Sequence, residues 1–471
     1  MKIEQIYTGC LAQGAYYIES NGEVAIIDPL REVQSYIDRA TKANAKIKYI
    51  FETHFHADFV SGHVTLAEKT GADIIYGPNA STSFKSTIAT DGQIFKLGNI
   101  TITALHTPGH TMESTTYLLK DENGADHAIF SGDTLFLGDV GRPDLAQKMG
   151  SLTLEDLAGF LFDSLRTKIM PLADDVIVYP AHGAGSACGK NMMKETVDTL
   201  GNQKSMNYAL RADMTKEEFI KEVTDGLLPP PAYFPLNVKL NKEGYQSIDK
   251  VLAKGQHALS PREFEVAANE TGAVVLDVRH ETEFVKAHVP RSIFIGLDGD
   301  FAPWVGGLIK DINQEILLVV SKDRLKEAIT RLARVGFDNV IGYLDGNIDA
   351  WIADGKETDS IKSIPTSEFK SIIDEHPESN IIDVRKKSEY LSEHVKLSEN
   401  FPLSEINNHL AQLPQDGEFF IHCAGGYRSV IASSILKSRG IHNMVDVTGG
   451  FDSIKKVDIK TSDFVCPTSL K

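Results

Sequence analysis

One stretch of this chain is written twice. Asp277-Val-Arg279 is followed by Glu283-Phe284 and then His288-Val289, and Asp383-Val-Arg385 by Glu389-Tyr390 and then His394-Val395, with identical internal spacings. The two copies lie 106 residues apart, a period that means tandem domains rather than a solenoid. Each copy continues into an apolar strand (Ile316 to Val320; Phe419 to Ile421), a helix, a glycine stop (Gly336; Gly440) and a second strand. Strand–helix alternation of this kind predicts a small parallel sheet covered by helices. Ser260-Pro261 with Glu263 is a strong helix start for the first copy, because Ser caps, Pro fits the first turn and Glu reaches back. The copies are placed at 256–358 and 362–471.

A larger domain, 1–240, precedes them, so three domains share the 471 residues. It alternates β-branched runs with polar turns: Val24 to Asp28, Ile47 to Phe51, Ile100 to Ala104, Ala128 to Phe130 and Val176 to Tyr179 all read as strands. Val64 to Thr70 reads as a helix, and Thr153 with Asp156 is a capping signal ahead of an amphipathic run reaching Lys168. Pro229, Pro230, Pro231 and Pro235 read as a stiff connection leaving this domain.

Charge narrows the partners. Lys plus Arg number 48 against 65 Asp plus Glu, a formal net charge of -17, which repels nucleic acid and anionic lipid. No run approaches the ~20 apolar residues of a membrane span, and the start has no signal-peptide pattern. Cys10, Cys188, Cys423 and Cys466 are scattered without paired spacing, which argues for a reducing compartment, the cytoplasm by default.

Chemistry concentrates in two places. After the strand ending at Phe51 comes Thr53-His54-Phe55-His56-Ala57-Asp58, then Ser61-Gly62-His63. His110 in Thr107-Pro-Gly-His-Thr111, Asp133 in Ser131-Gly-Asp-Thr134 and His182 in Pro180-Ala-His-Gly183 each follow a strand among small residues, the context for a ligand-bearing loop. This ordered set resembles the metallo-β-lactamase superfamily, which implies an αββα sandwich with metal at one sheet edge. Two-metal hydrolases of that superfamily, such as glyoxalase II, carry a further His directly after the motif Asp. Here that position is Phe59, which has no lone pair to give a second metal.

The surroundings Cys10-Leu-Ala-Gln, Gly132-Asp133-Thr-Leu-Phe136, Gly141-Arg142-Pro-Asp144 and Tyr179-Pro-Ala-His182-Gly resemble the persulfide dioxygenases. That resemblance implies one Fe(II) per chain on His54, His110 and Asp133, with His56, Asp58 and His182 orienting the ligands or holding water. Two imidazoles and a carboxylate on one face leave up to three positions open for a persulfide sulfur and O₂. Arg142 matches a family arginine near the thiol substrate, where it could clamp a carboxylate, or else serve as a structural salt bridge. Cys188, six residues past His182, is a nearby thiol or an inert small hydrophobe.

The second place is His422-Cys423-Ala-Gly425-Gly426-Tyr427-Arg428-Ser429, which follows a strand and opens a helix. Two glycines let successive N–H groups turn toward the sulfur, and the helix start and Arg428 add positive potential, so Cys423 is expected to act as a thiolate. Four residues separate Cys from Arg, where protein phosphatases of this shape place five, a tighter ring suited to a terminal persulfide sulfur. With Asp383-Val-Arg385 and His394 this resembles rhodanese, and implies Cys423 and Arg428 as catalytic, with Gly425, Gly426 and Tyr427 binding substrate. In the first copy the equivalent position is Ser321, followed by Lys322-Asp323-Arg324, with the glycines gone. That copy is expected to be inactive, leaving the Asp–Arg pair kept in both copies a structural role.

The whole order is similar to the persulfide dioxygenase–rhodanese fusions. The fold class expected is therefore α/β and α+β multidomain: a metallo-β-lactamase sandwich followed by two parallel-sheet rhodanese domains. The partners implied are a low-molecular-weight thiol persulfide, O₂ and sulfite or thiosulfate, with a homo-oligomeric assembly. Two rivals stand beside this reading, a zinc thioester hydrolase of glyoxalase II type with a sulfurtransferase attached, and a persulfide sensor with a vestigial metal site.

Overall fold

The computed structural model describes residues 1–144, 152–227 and 229–466. Two compact units divide the chain, the first taking Met1–Lys250 and the second most of the remainder. The first unit is built on two six-stranded sheets. One runs β1 (Lys2–Thr8), β2 (Gln13–Ser20), β3 (Glu23–Ile27), β4 (Lys46–Phe51), β5 (Asp73–Tyr76) and β6 (Thr87–Ile88), in that order. β1 to β3 pair antiparallel and β3 to β6 parallel. The other holds β7 (Ile94–Leu97), β8 (Ile100–His106), β9 (Thr115–Lys120), β10 (Asp126–Gly132), β11 (Ile177–Pro180) and β12 (Asp198–Thr199), in reverse order across the sheet. Each strand run expected from the sequence lies within one of these strands or is displaced by a single residue at one end.

Alternation along the strands explains the layers. Tyr16, Ile18, Phe51 and Ile75 from one sheet meet Leu97, Ile102, Tyr117 and Phe130 from the other in a buried core. On the outer faces, Tyr36 and Leu66 from flanking helices pack on the first sheet, and Leu157 to Leu165 covers the second. The result is αββα. Thr153 caps the helix Leu154–Ser164 through a reciprocal pair with Asp156, and the run continues as a wider π turn over Leu165–Ile169. Among the described residues no helix is long and apolar enough to cross a membrane.

The proline cluster behaves differently from its reading as an exit. Pro235 sits in the first turn of the helix Phe234–Glu243, where a missing N–H costs nothing. That helix returns to the first unit: Asn241 Nδ2 donates to the carbonyls of His56 and Phe59, both at 2.8 Å, and its Oδ1 accepts the Ser61 N–H at 2.9 Å.

The second unit holds two five-stranded parallel sheets of matching order. The first is β13 (Ala258–Leu259), β14 (Val274–Asp277), β15 (Ile293–Phe294), β16 (Ile316–Val319) and β17 (Val340–Leu344), arranged 13-17-16-14-15. The second is β18 (Ser363–Ile364), β19 (Ile381–Asp383), β20 (Glu399–Asn400), β21 (Phe419–His422) and β22 (Met444–Val447), arranged 18-22-21-19-20. The sequence repeat is thus a repeat of folds. Its shared residues do the same work twice: Arg279 and Arg385 grip Asp277 and Asp383 through two nitrogens, and each also donates to a carbonyl, of Ala287 or Glu393. His288 and His394 stack on Phe284 and Tyr390, both at 3.9 Å.

Candidate metal centre and cysteine loop

The metal centre forms where β3, β4, β10 and β11 end. Asp28 turns the chain at φ 49° and accepts both the N–H and the hydroxyl of Thr53, each at 2.8 Å, which sets His54 at the mouth of β4. Gly132 lies against Thr53 at φ +55°; a Cβ there would stand 2.6 Å from the Thr53 side chain, so only glycine lets Asp133 approach His54. His110 enters from the loop between β8 and β9.

Hydrogen bonds at the back of each ring determine what faces the centre. His110 Nδ1 donates to the Arg142 carbonyl at 2.8 Å, which leaves the Nε2 lone pair free. His54 Nδ1 donates to Thr53 Oγ1 at 3.0 Å, whose own proton goes to Asp28, with the same outcome. Both Nε2 atoms face Asp133 Oδ2, at 3.8 Å from His54 and 3.4 Å from His110. That oxygen is buried without a hydrogen-bond partner. Three acceptors meeting with no proton between them are stable only around a cation, so His54, His110 and Asp133 fit a metal ion with one ligand atom from each. Burial would raise the Asp133 carboxyl, but His182, His54 and His110 outweigh it and hold the group well below the usual carboxylate range. Burial, helped by His56, keeps His54 well below the ordinary histidine value.

Asp58 and His182 stand behind the carboxylate. His182 Nδ1 meets Asp133 Oδ1 at 2.7 Å, and its Nε2 lies 2.8 Å from Asp58 Oδ2. Burial disfavours the His182 cation, yet the two flanking carboxylates outweigh this and raise it well above the usual range. His56, expected beside them, turns instead toward Asp28 Oδ1 at 3.0 Å and Glu52 Oε2 at 3.6 Å, its ring against Phe59 at 4.3 Å. Glu52, pushed up by burial and by Asp28, also accepts the Ser61 hydroxyl. Asp28 and Glu52 join the site without belonging to any motif; their signal in the sequence is an acid at the end of each of two apolar strands.

Arg142 makes its two-point clamp within the chain, on Asp144, with both contacts at 2.7 Å. Cys188 is buried, with its sulfur grouped with Asp58 and His182. All four cysteines are free.

The cysteine loop forms where the sequence places it, but among the described residues one N–H rather than several bonds the sulfur. Cys423 follows β21, and its sulfur accepts the Gly426 N–H at 3.1 Å, with Gly426 at φ +109°. The helix Tyr427–Ser438 starts directly after. Arg428 gives both terminal nitrogens to Glu389, at 2.6 and 2.9 Å, so its charge reaches the loop already shared with a carboxylate. Tyr427 turns its hydroxyl to the Gly296 carbonyl at 2.7 Å, a contact with the first copy that the sequence could not announce.

Comparison with known proteins places both parts of the chain in known families. The metallo-beta-lactamase superfamily model matches residues 8–182, and the rhodanese-like domain model matches 260–354 and 366–457. The cytoplasmic hydroxyacylglutathione hydrolase of Arabidopsis thaliana is 32% identical over 187 residues, 39% of this chain and 67% of that protein. The mitochondrial persulfide dioxygenase of Homo sapiens is 27% identical over 225 residues, 46% of this chain and 78% of that protein. A crystal structure of a metallo-beta-lactamase from Staphylococcus aureus subsp. aureus COL superposes with a TM-score of 0.63 at 30% identity, covering 73% of this chain and 98% of that one.

Proposed function

Since the chain belongs to the metallo-β-lactamase superfamily and carries two rhodanese-like domains behind that first domain, we propose that it is a persulfide dioxygenase coupled to a sulfurtransferase. In this reading His54, His110 and Asp133 hold a single ferrous ion, which supplies open coordination positions and redox chemistry toward O₂. The net reaction is RSSH + O₂ + H₂O giving RSH, sulfite and two protons. His182 and Asp58 keep Asp133 aimed, and the Arg142 carbonyl keeps the His110 ring in register.

In the last domain Cys423 attacks the outer sulfur of thiosulfate. Sulfite leaves with the electron pair of the S–S bond, and a cysteine persulfide anion remains, facing the Gly426 N–H. Ser321 gives the first copy no such nucleophile.

The observation that carries this reading is Phe59. It is fully buried where the two-zinc hydrolases need another imidazole, while Asp58 and His182 are occupied in holding Asp133. The similarity to the Arabidopsis hydrolase supports a second reading, a zinc thioester hydrolase of glyoxalase II type. An oxygen electrode separates the two. Iron-loaded protein given a small-thiol persulfide should consume O₂ and release an equal amount of sulfite, and Cys423→Ser should keep that uptake while losing sulfur transfer. Two zincs per chain, thioester cleavage and no O₂ uptake would overturn the proposal.

A further inference from the structure

The inactive rhodanese-like copy shares no nucleophile with its twin, yet it touches the cysteine loop at a chosen point. Tyr427 follows Gly426, the residue whose N–H faces the Cys423 sulfur. Its hydroxyl donates to the Gly296 carbonyl at 2.7 Å, and its ring lies on Gly299 so closely that a Cβ there would stand 2.4 Å from a ring carbon. Phe294 meets the same ring edge-on at 5.8 Å and 72°. The contact continues along the helix that Tyr427 begins: Ser434 Oγ accepts the Phe294 N–H at 2.9 Å, and Lys437 pairs at 2.9 Å with Asp359, in the link between the copies.

We propose that the inactive copy is a positioning device for sulfur transfer, holding the loop through Tyr427 so that the Gly426 N–H stays aimed at Cys423. This rests on the reading of the last domain as a sulfurtransferase. The loop needs such a support. Gly425 and Gly426 in succession give it wide backbone freedom, and a nest of N–H groups stabilises an anion only while its donors are held in place. From its own domain the loop is tied on the carbonyl side, where Cys423 and Ala424 accept from Phe451 and Asp452 at 2.7 and 3.0 Å. Past Gly426, Arg428 is held by Glu389 and Ser429 Oγ donates to the Gly426 carbonyl at 3.0 Å, both within the same domain, while Tyr427, directly after Gly426, finds its acceptor in the other copy. Gly299 then has a definite task, since any side chain there would displace the ring.

Tyr427→Phe tests this, because it keeps the ring and removes only the hydroxyl. The full chain and the variant are compared in the pH profile of Cys423 alkylation by iodoacetamide, and in transfer from thiosulfate to cyanide. The expected result is an alkylation midpoint moved to higher pH and kcat/KM for thiosulfate down about tenfold, the scale of one hydrogen bond lost. Gly299→Ala should move both in the same direction, with circular dichroism confirming a folded chain. An unchanged alkylation profile in Tyr427→Phe overturns the positioning role, whatever Gly299→Ala does. Should the unsubstituted chain move no sulfur at all, the sulfurtransferase reading falls, while the alkylation profile still reads the clamp.

Discussion

His182 and Asp133 are joined at 2.7 Å through Nδ1 and Oδ1, and this bond leaves the other carboxylate oxygen, Oδ2, as the one turned toward His54 and His110. The imidazole therefore decides which lone pairs the centre offers. Replacing it by Ala frees the carboxylate to rotate and leaves Asp58 buried without its partner. His182→Ala should weaken metal binding about 10- to 100-fold, the usual cost of losing a ligand's support. Competition with a chelator of known affinity measures it; unaltered affinity would separate His182 from the centre.

Phe59→His restores the imidazole that the two-metal hydrolases use. Asp58, His182 and the Cys188 sulfur already lie within 4.8 Å of one another, so an imidazole added next to Asp58 in the chain should let zinc-loaded protein hold two ions instead of one. The buried ring stacked on His56 is lost, and the fold should weaken by about 1–3 kcal/mol. Metal analysis of zinc-loaded protein checks the count, and a single zinc would show that Phe59 is not what restricts the site.

The paired Asp and Arg of the repeat make a sharp stability test. Asp383 and Arg385 are both buried, and the guanidinium has no other carboxylate at comparable distance among the described residues. Asp383→Ala strands a buried cation, which should cost about 3–5 kcal/mol. Urea unfolding of the full chain should lose the transition of that domain first. A variant of unchanged midpoint would mean the pair is dispensable.

Burial pushes the Asp446 carboxyl up to about 6, against partial relief from the hydroxyls of Ser429 and Ser363. Below the unfolded value of 3.8 both states carry the proton and no penalty applies. As pH rises from there to about 6, the unfolded chain ionises first, so stability falls across that window and the loss persists above it. Asp446→Asn should flatten this slope and raise stability near pH 7 by an amount on the order of 2 kcal/mol. Thermal melts between pH 4 and pH 8 follow it; parallel curves for the two proteins would remove Asp446 from the account.

Much of this was legible because its signals are local. A strand is visible in Ile100 to Ala104 from side-chain chemistry alone, and the Asp–Arg pairs announce themselves by repeating at fixed spacing. The cysteine loop is legible for the same reason, since glycine, nucleophile and helix start are consecutive. What stayed hidden depends on partners distant in sequence. His56 looks like its neighbour His54 in the chain, but that its ring faces Asp28 and Glu52 is decided by how β3 meets β4. Arg142 carries its counter-ion only two residues away, and even so the clamp on a substrate read as easily as the clamp on Asp144. Tyr427 sits within the cysteine loop and resembles a binding residue until the other copy is placed beside it.

Asn241 has a practical consequence for anyone dividing the protein. Its amide staples the backbone on both sides of Asp58, at His56 and Phe59, so the loop carrying these residues is fastened by a helix that comes after every strand of its own unit. A fragment trimmed at the prolines, or even at residue 240, would keep all three metal-binding side chains and still lose the fastening. Expression fragments meant to isolate the metal centre therefore have to extend through Glu243 before a missing activity can be blamed on the absent rhodanese-like half.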